Sequence, residues 1–167
     1  LFFLSFSLMA YISFKSLMVL GLYVVLNILY SLGLKKISLV DVTIIAIGFV
    51  LRLFVGSYAY NEDLTFWIVI MTFLLAIFIA LAKRRDDVLI FNNYKKQMRK
   101  SILGYNLKLI DSIMIVMSAV IVLTYIQYST SIDAIMKFGE NLYLTTLYVI
   151  FGIMRYMQIT FVENKSG

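Results

Sequence analysis

Lys83-Arg84-Arg85-Asp86-Asp87 is the densest run of chemistry-bearing side chains in the sequence. It opens the longest polar stretch, 83–107, which adds Lys95, Lys96, Arg99 and Lys100. The 167 residues include neither His nor Cys. That removes the commonest general base, imidazole zinc sites and every thiolate mechanism. Catalysis would have to use carboxylates, Lys, Arg, Tyr or Asn, with a hard metal ion held through oxygen. If the apolar run ending near Ala82 continues as helix, Lys83 and Asp87 are i,i+4 neighbours and Arg84 and Asp87 are i,i+3. Two readings follow. A surface ion-pair cluster contributes little stability. A Mg²⁺ and phosphate site would set carboxylates on one side of the cation, substrate phosphates on the other, and Lys and Arg around the remaining charge. Composition leaves both open.

The elements that position this run are apolar. Hydrophobic residues make up 62% of the chain and aromatics 16%, against roughly 45–50% apolar in a soluble domain. So small a globule cannot hide that surplus from water, because small domains keep much of their surface solvated. Lipid is the alternative solvent. A spanning helix needs about 20 mostly apolar residues, and five full-length runs qualify: 17–34, 39–60, 64–82, 108–128 and 141–161. A partial run stands at the start, where Leu1-Phe2-Phe3-Leu4 is already apolar. The expected fold class is all-α, a polytopic transmembrane bundle, and the chain reads as part of a longer protein truncated at both ends.

Charge orients the spans. Lys35-Lys36 and the 83–107 stretch are basic, whereas Asn61-Glu62-Asp63 and the Asp133, Lys137, Glu140 connection are acidic or nearly neutral. Basic loops stay cytoplasmic, so the first two share the cytoplasmic side of the membrane, and Lys15 is a minor exception. Tyr58, Tyr60, Trp67, Tyr125, Tyr128 and Tyr143 suit an outer interfacial belt or plain helix contacts. Asp41, Asp111 and Arg155 fall within about two helical turns of the basic side, while Arg52 is deeper. A charge in hydrocarbon costs at least ~2.5–3.5 kcal/mol, so these residues face the bundle interior or snorkel from span ends. Asn164-Lys165-Ser166 matches a glycosylation acceptor but lies on the cytoplasmic side. Lys95-Lys96 and Arg99-Lys100 could contact anionic membrane lipids. Nucleic-acid binding is excluded as a reading, because no aromatic stacking platform interleaves the basic stretch.

Tyr30-Ser31-Leu32-Gly33-Leu34-Lys35-Lys36, then Asp41-Val42 and Gly48-Phe49-Val50-Leu51-Arg52, resemble the UbiA superfamily of intramembrane prenyltransferases. Within it the decaprenyl-phosphate phosphoribosyltransferase branch is most similar. That branch carries YSxxLK, DV and GFVLR, then a KR-x-x-acid motif, here Lys83-Arg84-Arg85-Asp86-Asp87 with Asp87 in the acidic place. Arg99-Lys100-Ser101, Gly104-Tyr105 and Ile153-Met154-Arg155-Tyr156 also resemble family features. The likeness runs over essentially the whole chain, in order.

The resemblance implies a nine-helix bundle with a cytoplasm-facing polar cavity, of which residues 1–167 would be part of one transmembrane domain, about helices three to eight. It implies a transferase in which a polyprenyl phosphate attacks phosphoribosyl diphosphate and releases pyrophosphate, in cell-envelope biosynthesis. Asp87 and Asp86 would ligate Mg²⁺, while Lys35, Lys83, Arg84 and Tyr30 would contact phosphates. The family's first acidic motif, Asn-Asp-x-x-Asp-x-x-x-Asp, is absent from this sequence, so the fragment alone is expected to be inactive. Alternatives are prenyl transfer to an aromatic or other acceptor, and a non-catalytic membrane or transport module. Acceptor, chain length and oligomeric state are not legible. The enzymatic reading expects Lys35, Lys83, Arg84 and Asp87 to converge on one pocket.

Overall fold

The computed structural model describes residues 9, 11–94 and 100–163, with the backbone alone at 92–94, 100 and 103. Six α-helices occur among them: α1 Phe14–Leu32, α2 Val40–Tyr60, α3 Phe66–Tyr94, α4 Leu107–Ser129, α5 Ile132–Phe138 and α6 Thr146–Phe161. Short 3₁₀ turns stand at Leu34–Lys36, Lys100–Gly104 and Glu140–Thr145. No strand occurs among the described residues. Five helical segments are long and apolar enough to cross a membrane, at Phe14–Leu32, Val40–Tyr60, Phe66–Phe91, Leu107–Ser129 and Glu140–Phe161. The protein is an all-α integral membrane protein, and the five expected full-length runs are the five spans. The partial run at the start falls largely outside the described residues, as do Lys95, Lys96, Arg99 and Asn164-Lys165-Ser166.

Large apolar side chains line the outside of the helices. Leu123, Leu147 and Phe151 are each more than half exposed, as expected of helices that face acyl chains on one side and each other on the other. Helix ends are set by local side chains. Asn106 caps α4 by accepting from the Leu109 N–H at 2.6 Å, and Ser131 caps α5 by accepting from the Ala134 N–H. Each supplies an acceptor for a donor that the first turn leaves unpaired. Asn61 ends α2 in the left-handed conformation, φ 57°, which Asn tolerates better than most residues.

The chain forms two compact units, one of Leu1–Ile77 with Arg99–Gly104, the other of Phe78–Met98 with Tyr105–Gly167. In the first, α1 and α2 run antiparallel. Lys15 lies 6.0 Å from the Tyr58 ring, Ser16 Oγ donates to the Val55 carbonyl at 3.1 Å, and Tyr23 meets Arg52. Ser16 is fully buried, so this hydrogen bond is a polar tie inside an apolar interface. Ser16→Ala is expected to cost about 0.6 kcal/mol, the usual worth of an interhelical bond in a membrane bundle. Reversible unfolding of the full-length protein in mixed detergent micelles measures it.

The turn at Lys100–Gly104 docks against the end of the α1–α2 connection. Ser38 Oγ donates to the Ser101 carbonyl at 2.6 Å, and Ser101 is fully buried. Gly104 is required here for space, because a Cβ at that position would overlap Ser38 Oγ. Gly104→Ala must displace Ser38 or the backbone, an overpacking penalty of about 1–3 kcal/mol. The expected result is at least about tenfold faster hydrogen exchange at the Ile102 and Gly104 amides, with exchange elsewhere in the chain unchanged.

In the second unit, α4 and α6 are also antiparallel. Tyr125 Oη and Thr145 Oγ1 are 2.8 Å apart at one end, with Ser129 and Thr146 beside them at 3.4 Å. The Phe78 and Tyr156 rings pack at 5.4 Å between centroids.

Candidate functional site

The polar run after Ala82 is not a loop. α3 continues without interruption from the span to Tyr94, where the hydropathy pattern alone ends the span near 82. The reason is local. Neither Gly nor Pro interrupts 83–94, so nothing ends the helix at the membrane surface. A buried stripe at Phe78, Leu81, Ala82, Arg85 and Val88 follows the i, i+3, i+4, i+7 spacing of one helix face.

On this rigid rod the expected i,i+3 contact forms: Arg84 Nη1 pairs with Asp87 Oδ2. Arg84 is almost wholly buried, while the Asp87 side chain keeps 30% of its surface exposed. Asp86 is half-buried and Lys83 is exposed. The last turns of the span therefore present one accessible ammonium, the part-exposed Asp87 carboxylate with a buried guanidinium behind it, and Asp86, whose Oδ1 is buried. Oxygen donors of this kind suit Mg²⁺, which is held by one or two carboxylates together with substrate phosphates. No group of three or more acidic residues that could hold a metal ion gathers among the described residues, so two carboxylates alone would fill only part of a coordination shell.

Arg85 has a different task, and the sequence reading passed over it. Its Nε donates to Asp111 Oδ1 at 2.8 Å, its Nη1 donates to the Thr160 carbonyl at 2.6 Å, and its guanidinium lies 5.1 Å from the Phe161 ring centroid. Asp111 stands near the N-terminus of α4 and Thr160 near the C-terminus of α6. One cation thus answers a carboxylate and a carbonyl that the helix end leaves unpaired. The signal was present in the spacing: Arg85 falls four residues after Leu81 on the buried face, so it had to enter the interior with a partner.

Asp111 was expected near the basic side, facing inward or snorkelling, and it faces Arg85. Arg155, the other candidate at that level, is exposed and pairs with Glu163 at 3.3 Å and Gln158 at 3.0 Å. Asp41 is fully buried in the first turn of α2, where a carboxylate is favoured by the helix dipole. Tyr30, in the last turns of α1, is half-buried, as is Lys35, in the 3₁₀ turn Leu34–Lys36. Both belong to the first unit, whereas Lys83, Arg84, Asp86 and Asp87 belong to the second. Within the second unit the structure brings together Arg84 and Asp87.

Comparison with known proteins agrees with the motif reading. Over 107 residues, 64% of this chain and 32% of the relative, it is 25% identical to the decaprenyl-phosphate phosphoribosyltransferase of Corynebacterium glutamicum. The chain is similar to decaprenyl-phosphate phosphoribosyltransferases. The protein of that name from Mycolicibacterium smegmatis is 26% identical over 87 residues, 52% of this chain and 27% of the relative. The match thus spans about a third or less of the length of these curated relatives. No family model matches the chain.

Proposed function

We propose that this chain is part of a membrane transferase that moves the phosphoribosyl group of phosphoribosyl diphosphate onto a polyprenyl phosphate. The observation that carries the reading is the end of α3: Lys83, the Arg84–Asp87 pair and Asp86 sit on the last turns of a membrane span, in a chain similar to enzymes named for that transfer. In the reaction, a phosphate oxygen of the lipid bonds to the anomeric carbon of the sugar. The bond from that carbon to the diphosphate oxygen breaks, and its electron pair leaves with pyrophosphate.

The chain's own residues then have separate roles. Asp87, with Asp86, would hold Mg²⁺, which when bound would neutralise charge gathering on the leaving group. Lys83 contributes an accessible cation to a phosphate. Arg84, behind Asp87, fixes that carboxylate and adds positive potential, which is worth most where water is excluded. Tyr30 and Lys35 are assigned to phosphates by their place in the resembling motif. On this reading residues 1–167 belong to one transmembrane domain, about helices three to eight of nine, and the basic face is cytoplasmic at a bacterial inner membrane.

The direct test uses the full-length protein, phosphoribosyl diphosphate and a polyprenyl phosphate. Pyrophosphate release that requires both substrates and stops on Mg²⁺ chelation is expected. Intact protein that binds neither substrate would defeat the proposal, and release from a prenyl diphosphate instead would reassign it to prenyl transfer.

A further inference from the structure

Within the second unit, the short helix α5 is held between two membrane spans. Only Thr130 and Ser131 separate it from α4, and Gly139 alone from the span that starts at Glu140. From Asp111, beside Arg85, α4 rises about 27 Å to Ser129, close to the ~30 Å thickness of a hydrocarbon core. α5 therefore sits at the membrane boundary away from the Arg85 clamp. Both of its ends are fixed locally. Ser131 Oγ, which accepts from the Ala134 N–H, also donates to the Tyr128 carbonyl at 2.8 Å. Gly139 takes φ 89° and ψ 167°, a backbone region essentially reserved for glycine, and its N–H donates to the Ile135 carbonyl at 2.8 Å. The chain thus builds α5 as a separate helix, not as a continuation of either span.

Its seven residues present three faces. Ala134 is buried. Asp133 and Lys137, four apart, are exposed. Ile132 and Met136 are also four apart, about 100° round the helix from the charged pair, and they are 76% and 74% exposed. Phe138, at the end of the helix, is 63% exposed. Tyr143 and Leu144 in the following 3₁₀ turn carry the exposed apolar surface on to Leu147 and Tyr148 of α6. Inside a span such exposure is ordinary; α5 shows it in a connection.

We propose that α5 lies in the plane of the bilayer as an interfacial anchor, with Ile132, Met136 and Phe138 in the acyl boundary and Asp133 and Lys137 toward water. The lipid boundary is the occupant because the apolar face continues the exposed surface of the adjoining span. The two-residue link to α4 lets α5 stray by only about 7 Å. Tyr143 suits the headgroup level, where an amphipathic ring meets both phases. Asp133 and Lys137 cancel in charge, so attachment rests on buried apolar area and needs no anionic lipid. The anchor fixes the depth of the α4–α6 hairpin, and it does not depend on the transfer reaction.

The test places a nitroxide on Met136→Cys, Lys137→Cys or Phe138→Cys in the full-length protein, reconstituted in phosphatidylcholine vesicles. Residues 1–167 contain no Cys, so each label is unique once any Cys outside them is replaced by Ser. Power saturation with oxygen and a water-soluble nickel chelate then gives the depth of each label. The Met136 and Phe138 labels are expected about 5–10 Å below the headgroups and the Lys137 label in water, with the same depths when phosphatidylglycerol is added. Ile132→Cys replaces Met136→Cys if that variant does not fold. Ile132→Ser combined with Met136→Ser is expected to bring the Phe138 label toward water and raise its nickel accessibility several-fold. A Met136 label as open to the nickel chelate as the Lys137 label overturns the proposal. So does spin–spin broadening at Met136 that vanishes on dilution with unlabelled protein, which would give this face to a second copy. Depth that requires phosphatidylglycerol, or a Phe138 label unmoved in the double variant, overturns the apolar anchor.

Discussion

Asp87→Asn in the full-length protein is expected to lower pyrophosphate release by about 10²–10³-fold, the usual cost of losing one group that stabilises transition-state charge. The substitution is nearly isosteric and removes only the negative charge. It weakens the proposed hold on Mg²⁺ and leaves Arg84, buried behind that carboxylate, without the ion pair. Asn keeps an amide oxygen for Arg84, so helix content is expected to hold, while taking the counter-charge from a guanidinium this buried lowers the thermal midpoint, which is measured beside turnover. Turnover and binding then separate. A loss mainly in kcat at high Mg²⁺ marks a role in the transition state, while a loss recovered by more Mg²⁺ marks weakened metal binding. Lys83→Ala should have a smaller effect, because the accessible ammonium it removes makes a more solvent-screened contact. Unaltered turnover in a folded Asp87→Asn protein would show that this carboxylate has no part in chemistry, and a transport or assembly role would gain.

Arg85→Met is expected to cost roughly 3 kcal/mol of stability. Removing one partner of a buried pair typically costs about 3–5 kcal/mol, and the lower end applies because the Asp111 side chain keeps 35% of its surface exposed. The change abandons Asp111 and the Thr160 carbonyl together. Arg85→Lys should recover only part of the loss, since a single ammonium lacks the planar fork that reaches both acceptors while lying on the Phe161 ring. The double variant Arg85→Met with Asp111→Leu should recover most of it, because no charge is then left alone. Unfolding in graded denaturing detergent measures all three. A single Arg85→Met protein as stable as wild type would show that the clamp is not holding α4 and α6 to α3.

Much of this protein could be read from the order of its residues. Lipid cannot hydrogen-bond a backbone, so long apolar runs have one outcome, and the five spans lie where hydropathy put them. The i,i+3 pairing of Arg84 with Asp87 was legible for a similar reason, because helix geometry fixes neighbours three and four apart. The motif order at Tyr30–Lys36, Gly48–Arg52 and Lys83–Asp87 already indicated the relatives that comparison finds.

Tertiary structure decided what those side chains are for. Arg84 and Arg85 are adjacent and chemically identical, yet one backs a carboxylate on its own helix and the other locks two different helices. Arg52 is a lone charge in sequence, and only the approach of α1 shows it resting on Tyr23 at the end of a polar face. Span positions follow from each segment's own contest between water and lipid, which local composition settles. Partners of a buried charge depend on which other helix supplies the acceptor, tens of residues away, and that is a property of packing alone.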